Sequence, residues 1–161
     1  MRAALALAVV LPVAACSSLP ATPPAPRSQG GAAIAQAAAS LIGTPYHFGG
    51  ADAAGFDCSG LARYVHERAG LAIPRTAAEQ RRAAHPVPLG QLAPGDLVFF
   101  RIGSRGIDHV GVYAGGGRFI HAPRVGLAVT YGDLSAGSFY ARRLVSAGRF
   151  WDRGITPPLP R

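Results

Sequence analysis

The 161-residue sequence predicts an α+β fold: helices gathered toward the N-terminus, packed on an antiparallel β-sheet of about five strands that follows them. Two observations carry this. Apolar residues recur at helical spacing from "AAIAQAAASLIG" through "PRTAAEQRRA". From "DLVFFRI" onward the pattern turns to short β-branched and aromatic runs, broken by Gly, Ser and Asp.

The first segment, "MRAALALAVVLPVAAC", has Arg2, an apolar run from Ala3 to Ala15, and then Cys16. The run is shorter than the ~20 residues of a spanning helix, and it fits a secretory signal over residues 1–15. "VAAC" has the form of a lipobox, which makes Cys16 the acylated first residue of the mature chain. Ser17 follows it, not Asp, so the expected location is the periplasmic face of the outer membrane, in the cell envelope. Residues 16–30, rich in Pro, Ser and small side chains, are expected to be a tether. The globular domain is expected over 31–150, with a Pro-rich tail over 151–161.

In the domain, Ile34, Ala38, Leu41 and Ile42 share one face of a first helix that Gly43 ends. Cys58 to Ala69 spells a second helix, with Leu61, Tyr64, Val65 and Arg68 at spacings of three and four and Gly70 as its stop. Thr76 and Glu79 stand at capping-box spacing and start a short third helix. Five strands follow: "DLVFFRI", "DHVGVYAG", "GRFIHAP", "LAVTYGD" and "FYARRLV". Asp96, after Gly95, reads as a turn residue.

A hydrophobic share of 49% with 15% charged residues argues against global disorder. The formal charge is +8, and every basic residue is Arg. These arginines are scattered and no nucleic-acid-binding motif accompanies them, so no nucleic-acid partner is expected. A positive surface suits an anionic polymer instead, such as a cell wall. The chain is expected to be a monomer.

Cys58 is the one cysteine left once Cys16 is acylated, and it opens a helix. A helix N-terminus favours a thiolate, so Cys58 is placed as a nucleophile. Its base is sought among five histidines. His66 is expected to face solvent, His85 to lie in a Pro-flanked loop, and His47 is ambiguous. His109 and His121 fall on two strands joined by "AGGGR". With Gly115, Gly116 and Gly117 as a three-residue loop, Ala114 pairs with Arg118 and Gly111 lies opposite His121. His109 is then the diagonal neighbour of His121 on one face, ~7–8 Å away, and Gly111 leaves room beside the rings. A two-residue loop would send the imidazoles to opposite faces. The assignment is Cys58 as nucleophile, His109 as base and His121 as orienting group. A Cys/His/His zinc site is the rival, lacking a fourth ligand or a C-x-x-C motif.

"TPYHFGG", "FDCSGL", "PRTAAEQ", "PGDLVFF" and "DHVGVYAGGGRFIHAP", in this order, resemble the NlpC/P60 family of bacterial cell-wall peptidases, over about Ile34 to Leu144. The resemblance implies a papain-like fold with the nucleophile on a helix against the sheet. It puts the nucleophile at Cys58, the base at His109 and the third polar group at His121, with Tyr46 near the oxyanion site. Asp57 and Ser59 match positions that help bind substrate, while Arg75 and Gln80 are expected to be structural. The implied activity is hydrolysis of amide bonds in peptidoglycan stem peptides or crosslinks, with peptidoglycan as partner and no cofactor or metal. A non-catalytic wall-binding scaffold and a thiol acyltransferase on the same fold stay open as alternatives.

Overall fold

The structure, a computed structural model, describes residues 27–103 and 105–152. Cys16 and the expected signal segment lie outside the described residues.

Helix α1 spans Arg27–Ala39, so it reaches back into the segment expected as tether. Ile34 and Ala38 are fully buried on its inner face. The helix stops earlier than expected. Leu41 and Ile42 bond back three residues to Ala38 and Ala39, a tightened last turn, and Ile42 is exposed, not part of the apolar face. A short hairpin follows, β1 (Ala51–Asp52) with β2 (Gly55–Phe56). Helix α2, Cys58–Arg68, buries Leu61, Ala62 and Val65. Helix α3, Ala77–Ala83, starts with the capping box of Thr76 and Glu79.

The remaining strands are β3 (His85–Val87), β4 (Leu97–Phe100), β5 (His109–Gly115), β6 (Arg118–His121), β7 (Thr130–Asp133) and β8 (Leu144–Arg149). They form one six-stranded sheet in the order β3-β8-β4-β5-β6-β7, antiparallel throughout. The sheet therefore has one strand more than expected, because His85 belongs to an edge strand and not to a loop. "FYARRLV" is a strand only at its end. Ala141–Arg143 form a 3-10 turn, and the strand proper begins at Leu144.

Two apolar clusters sandwich this sheet. On one face Leu97, Phe99, Val110, Val112 and Ile120 pack with Ile34, Ala38, Leu61 and Val65 of α1 and α2. On the other, Val98, Phe100, Phe119 and Ala147 pack with Tyr113, Tyr140 and Leu144. The alternation along β4 and β5 follows from the period of two in a strand.

Asp96 keeps its turn, with its amide bonded to the Ala93 carbonyl at 3.1 Å. It does more than turn the chain. Its fully buried carboxylate accepts from Arg149 Nε at 2.7 Å and Nη2 at 2.8 Å, from Trp151 Nε1 at 3.1 Å and from the Ala93 amide at 2.8 Å. The buried charge is tolerable because it is both paired and saturated with donors.

His66 is also unlike its expectation. It is fully buried beneath Phe150, with Nδ1 at 2.8 Å from the Ala62 carbonyl. Burial pushes its pKa down to about 4, so it is a neutral core residue.

Candidate active site

The site grows from the start of α2. Asp57 caps this helix, its Oδ1 accepting the Gly60 amide at 2.7 Å. Its other bonds go to the Ser59 hydroxyl at 3.2 Å, the Gly49 amide at 3.1 Å, and the Arg75 guanidinium at 3.0 and 2.5 Å. Arg75 also donates to Ser59 Oγ at 2.9 Å, and Gln80 Nε2 to the Ser59 carbonyl at 3.0 Å. Gly60 lets the first turn approach the hairpin closely, since a Cβ there would meet the Gly50 carbonyl oxygen at 2.0 Å. The residues on both sides of Cys58 are thus fixed by hydrogen bonds from three directions.

Cys58 itself is a free, half-buried thiol. As a thiolate it accepts from the amides of Val110, Ser59 and its own residue, all of which lower its pKa. Burial outweighs them and, helped by the Asp57 charge, pushes the thiol up to about 11. The expected helix-terminus stabilisation of a resting thiolate is therefore overridden by desolvation. Tyr46 stands in the same neighbourhood. Burial raises its pKa first, then the charges of Cys58 and Asp57, with Arg75 opposing.

The Val110 amide that meets the thiol is one residue past His109, which opens β5. His109 Nε2 lies 2.8 Å from His121 Nδ1, and both rings are buried. The hairpin that brings them together reaches the expected register by another route. Val112 pairs with Ile120 and Tyr113 with Phe119 as foreseen, but Gly115, not Ala114, faces Arg118. The loop is the two-residue Gly116-Gly117, with φ of 60° and 72°, and an irregularity between Tyr113 and Gly115 absorbs the extra residue. That bulge restores the parity a two-residue loop would have broken.

Gly111 does not leave a void beside the rings. A Cβ at Gly111 would sit 2.3 Å from Phe119 Cδ2, and one at Gly132 would sit 2.2 Å from Phe119 Cζ. Phe119 fills the space between these two glycines and packs on His121, centroids 4.8 Å apart. Tyr140 closes the cluster. It stacks on His109 at 6.2 Å and meets His121 edge-on at 4.9 Å. Sequence reading missed this tyrosine because "FYARRLV" looked like strand. The Ser-Ala-Gly-Ser run just before it was the available signal, since Ser138 Oγ accepts the Ala141 amide at 3.1 Å and turns the chain.

The imidazoles sit in this apolar wall and their pKa values fall. Burial takes His109 down to about 4 against the opposing charge of Asp108. Burial, and then the charge of His109, takes His121 down to about 3. At rest the thiol and both imidazoles are neutral. His121 holds Nε2 of His109 through its own Nδ1.

A thiol that opens a helix and an imidazole pair carried by two strands thus sit on one α+β sandwich. The NlpC/P60 family pattern matches residues 43–149, and the chain belongs to that family. It is 46% identical over 113 residues to murein DD-endopeptidase MepH of Escherichia coli, covering 67% of this chain and 41% of that protein. It is 38% identical to the gamma-D-glutamyl-L-lysine dipeptidyl-peptidase of Bacillus subtilis, over 72% of this chain and 40% of that one. The chain thus spans about two-fifths of these relatives' length. Among solved structures, the NlpC/p60 domain of the peptidoglycan hydrolase SagA superposes with a TM-score of 0.65 at 38% identity, covering 74% of this chain and 98% of that domain. An NlpC/P60 protein of Bacillus cereus gives 0.70 at 31% identity, over 80% of this chain and 41% of that one.

Proposed function

We propose that this protein is a cysteine endopeptidase that hydrolyses amide bonds of peptidoglycan stem peptides or crosslinks, anchored to the outer membrane through acylated Cys16. The observation that supports it most is the 2.8 Å contact of His109 Nε2 with His121 Nδ1, next to the backbone that cradles Cys58. For Nδ1 of His109 to take a proton, Nε2 must carry one and donate it to His121. The pair accommodates this basic tautomer, with His121 Nδ1 as the acceptor.

Catalysis then proceeds in balanced steps. His109 Nδ1 removes the thiol proton as Cys58 Sγ attacks the amide carbonyl. The amides at the start of α2 stabilise the charge that develops. His109 returns the proton to the departing amine, leaving a thioester on Cys58, and water, deprotonated by the same imidazole, releases the acid. The bond cut is of the D-γ-glutamyl-diaminopimelate or diaminopimelate-D-alanine type. The relatives' names, a DD-endopeptidase and a γ-D-glutamyl peptidase, support both.

The test incubates the full chain and its Cys58→Ala variant with purified sacculi and with defined muropeptides, and weighs the products by mass spectrometry. New fragments from the parent alone are expected, and their masses name the bond. Sacculus binding without fragments from either protein would replace this reading with a scaffold.

A further inference from the structure

Arg101, Arg142, Arg143, Leu144 and Val145 line an open hollow of about 340 Å³. None of the five is acidic. The chain ties this hollow to the catalytic base. Arg101 directly follows Phe100, which pairs with His109 across β4 and β5, and its amide donates to the Arg143 carbonyl at 3.0 Å. Tyr140, in the turn that leads into Arg142 and Arg143, packs on both imidazoles.

Two of the three guanidiniums are held in place. Arg143 donates to the Phe139 carbonyl at 2.9 Å and lies 3.7 Å above the Phe139 ring, and Arg142 donates to the Gly137 carbonyl. Asp108, in the loop that follows Arg101, accepts the amides of Ile102 and Gly103 at 2.7 Å each. Fixed guanidinium forks with N–H groups to spare match the two oxygens of a carboxylate.

We propose that this hollow is an anion subsite that takes a carboxylate on the leaving-amine half of the substrate. The proposal rests on the peptidase reading above. In that chemistry the acyl half stays on Cys58, while the amine departs with the proton of His109. The hollow lies on the β8 side of Phe100, the cross-strand neighbour of His109, and on this reading it meets the departing half. Arg75, whose charge acts on Cys58, is already neutralised by Asp57 at 2.5 Å, so it does not compete for the anion.

The test uses the full chain with two synthetic stem peptides, identical except that the leaving half carries a free carboxylate in one and a carboxamide in the other. The parent should show a KM roughly tenfold lower for the carboxylate, the scale of one charge-assisted contact. Arg101→Gln and Arg142→Gln, each on an exposed side chain, should each erase most of that difference by raising KM for the carboxylate alone, with kcat unchanged. Added salt should erase it in the parent as well. Equal KM values for the two peptides in the parent would overturn the subsite and leave the peptidase intact. Variants that weaken both peptides equally would overturn it too. No cleavage of either peptide by the parent would remove the peptidase reading and the subsite with it. The comparison of peptides on the parent needs no variant to fold.

Discussion

Alkylation of Cys58 by iodoacetamide, followed across pH, separates a resting ion pair from the neutral constellation described above. With the thiol at about 11 instead of the ordinary 9.0, the thiolate fraction at pH 7 is about one in 10⁴, where an ordinary thiol has about one in 10². The more basic thiolate is also the better nucleophile, which returns roughly eightfold of that hundredfold deficit. Cys58 in the folded, substrate-free protein should therefore react roughly tenfold more slowly at pH 7 than in the same chain unfolded in urea. Its rate should climb about tenfold per pH unit into the alkaline range without a plateau. The modified Cys58 peptide is quantified by mass spectrometry, so Cys16 does not interfere. A plateau between about pH 5 and 8, with neutral-pH reaction faster than in the unfolded chain, would refute the reasoning, because it requires a preformed thiolate beside a protonated His109.

Three further outcomes follow from the packing. Gly111→Ala puts a methyl 2.3 Å from the Phe119 ring; the ring must move against His121, costing about 1–3 kcal/mol by overpacking, and kcat should fall with it. Phe119→Leu in the same chain should recover stability, and an unchanged unfolding midpoint and kcat in the single variant would contradict the packing account. Asp96→Asn leaves Arg149 with only the longer contact to Asp152 at 3.9 Å, so urea unfolding should show a loss at or below the low end of the roughly 3–5 kcal/mol for a broken buried pair, with activity per folded molecule retained. Acid should also destabilise the fold. His66 has a folded pKa of about 4 against 6.5, so the unfolded chain binds the extra proton between those values and stability falls as pH drops through that window, by up to roughly 3 kcal/mol from this residue. His66→Leu should flatten the slope there, and an unchanged slope would show that the ring is not held neutral.

The features that were legible in the sequence are those with local causes. The start of α2 at Cys58 and the capping box at Thr76 lie within a few residues of what they determine; the cap that Asp57 makes for α2 is local too, yet was not read from the sequence. The parity of the two histidines was legible too, although the turn was not. Either loop length allows a register, and only the bulge at Ala114, a response to twist, makes the shorter loop compatible with it. Asp96, His66 and Tyr140 were misread or missed for one reason. Their partners, Arg149 and Trp151, Phe150, and the His109–His121 pair, are distant in sequence and reach them only once β8 crosses beside β4. The void expected at Gly111 failed in the same way, since a glycine in a strand signals a close approach without naming what approaches.

The placement of the base explains why so many aromatic groups surround it. His109 stands opposite Phe100, on the sheet face away from α1 and α2, while the amide of its neighbour Val110 reaches the thiol on the helix face. Cys58 and His109 thus belong to different layers, with the backbone of β5 between them. A base on an open sheet face would be solvated, and its proton affinity would be set by water. Phe100, Phe119 and Tyr140 close that face over the imidazoles, and the desolvation they impose keeps His109 neutral down to about pH 4. The same wall makes a protonated His109 costly in the resting state. Under the proposed mechanism dryness acts on timing: the burial of Cys58 itself keeps the thiol protonated until the bond to be cut is in place.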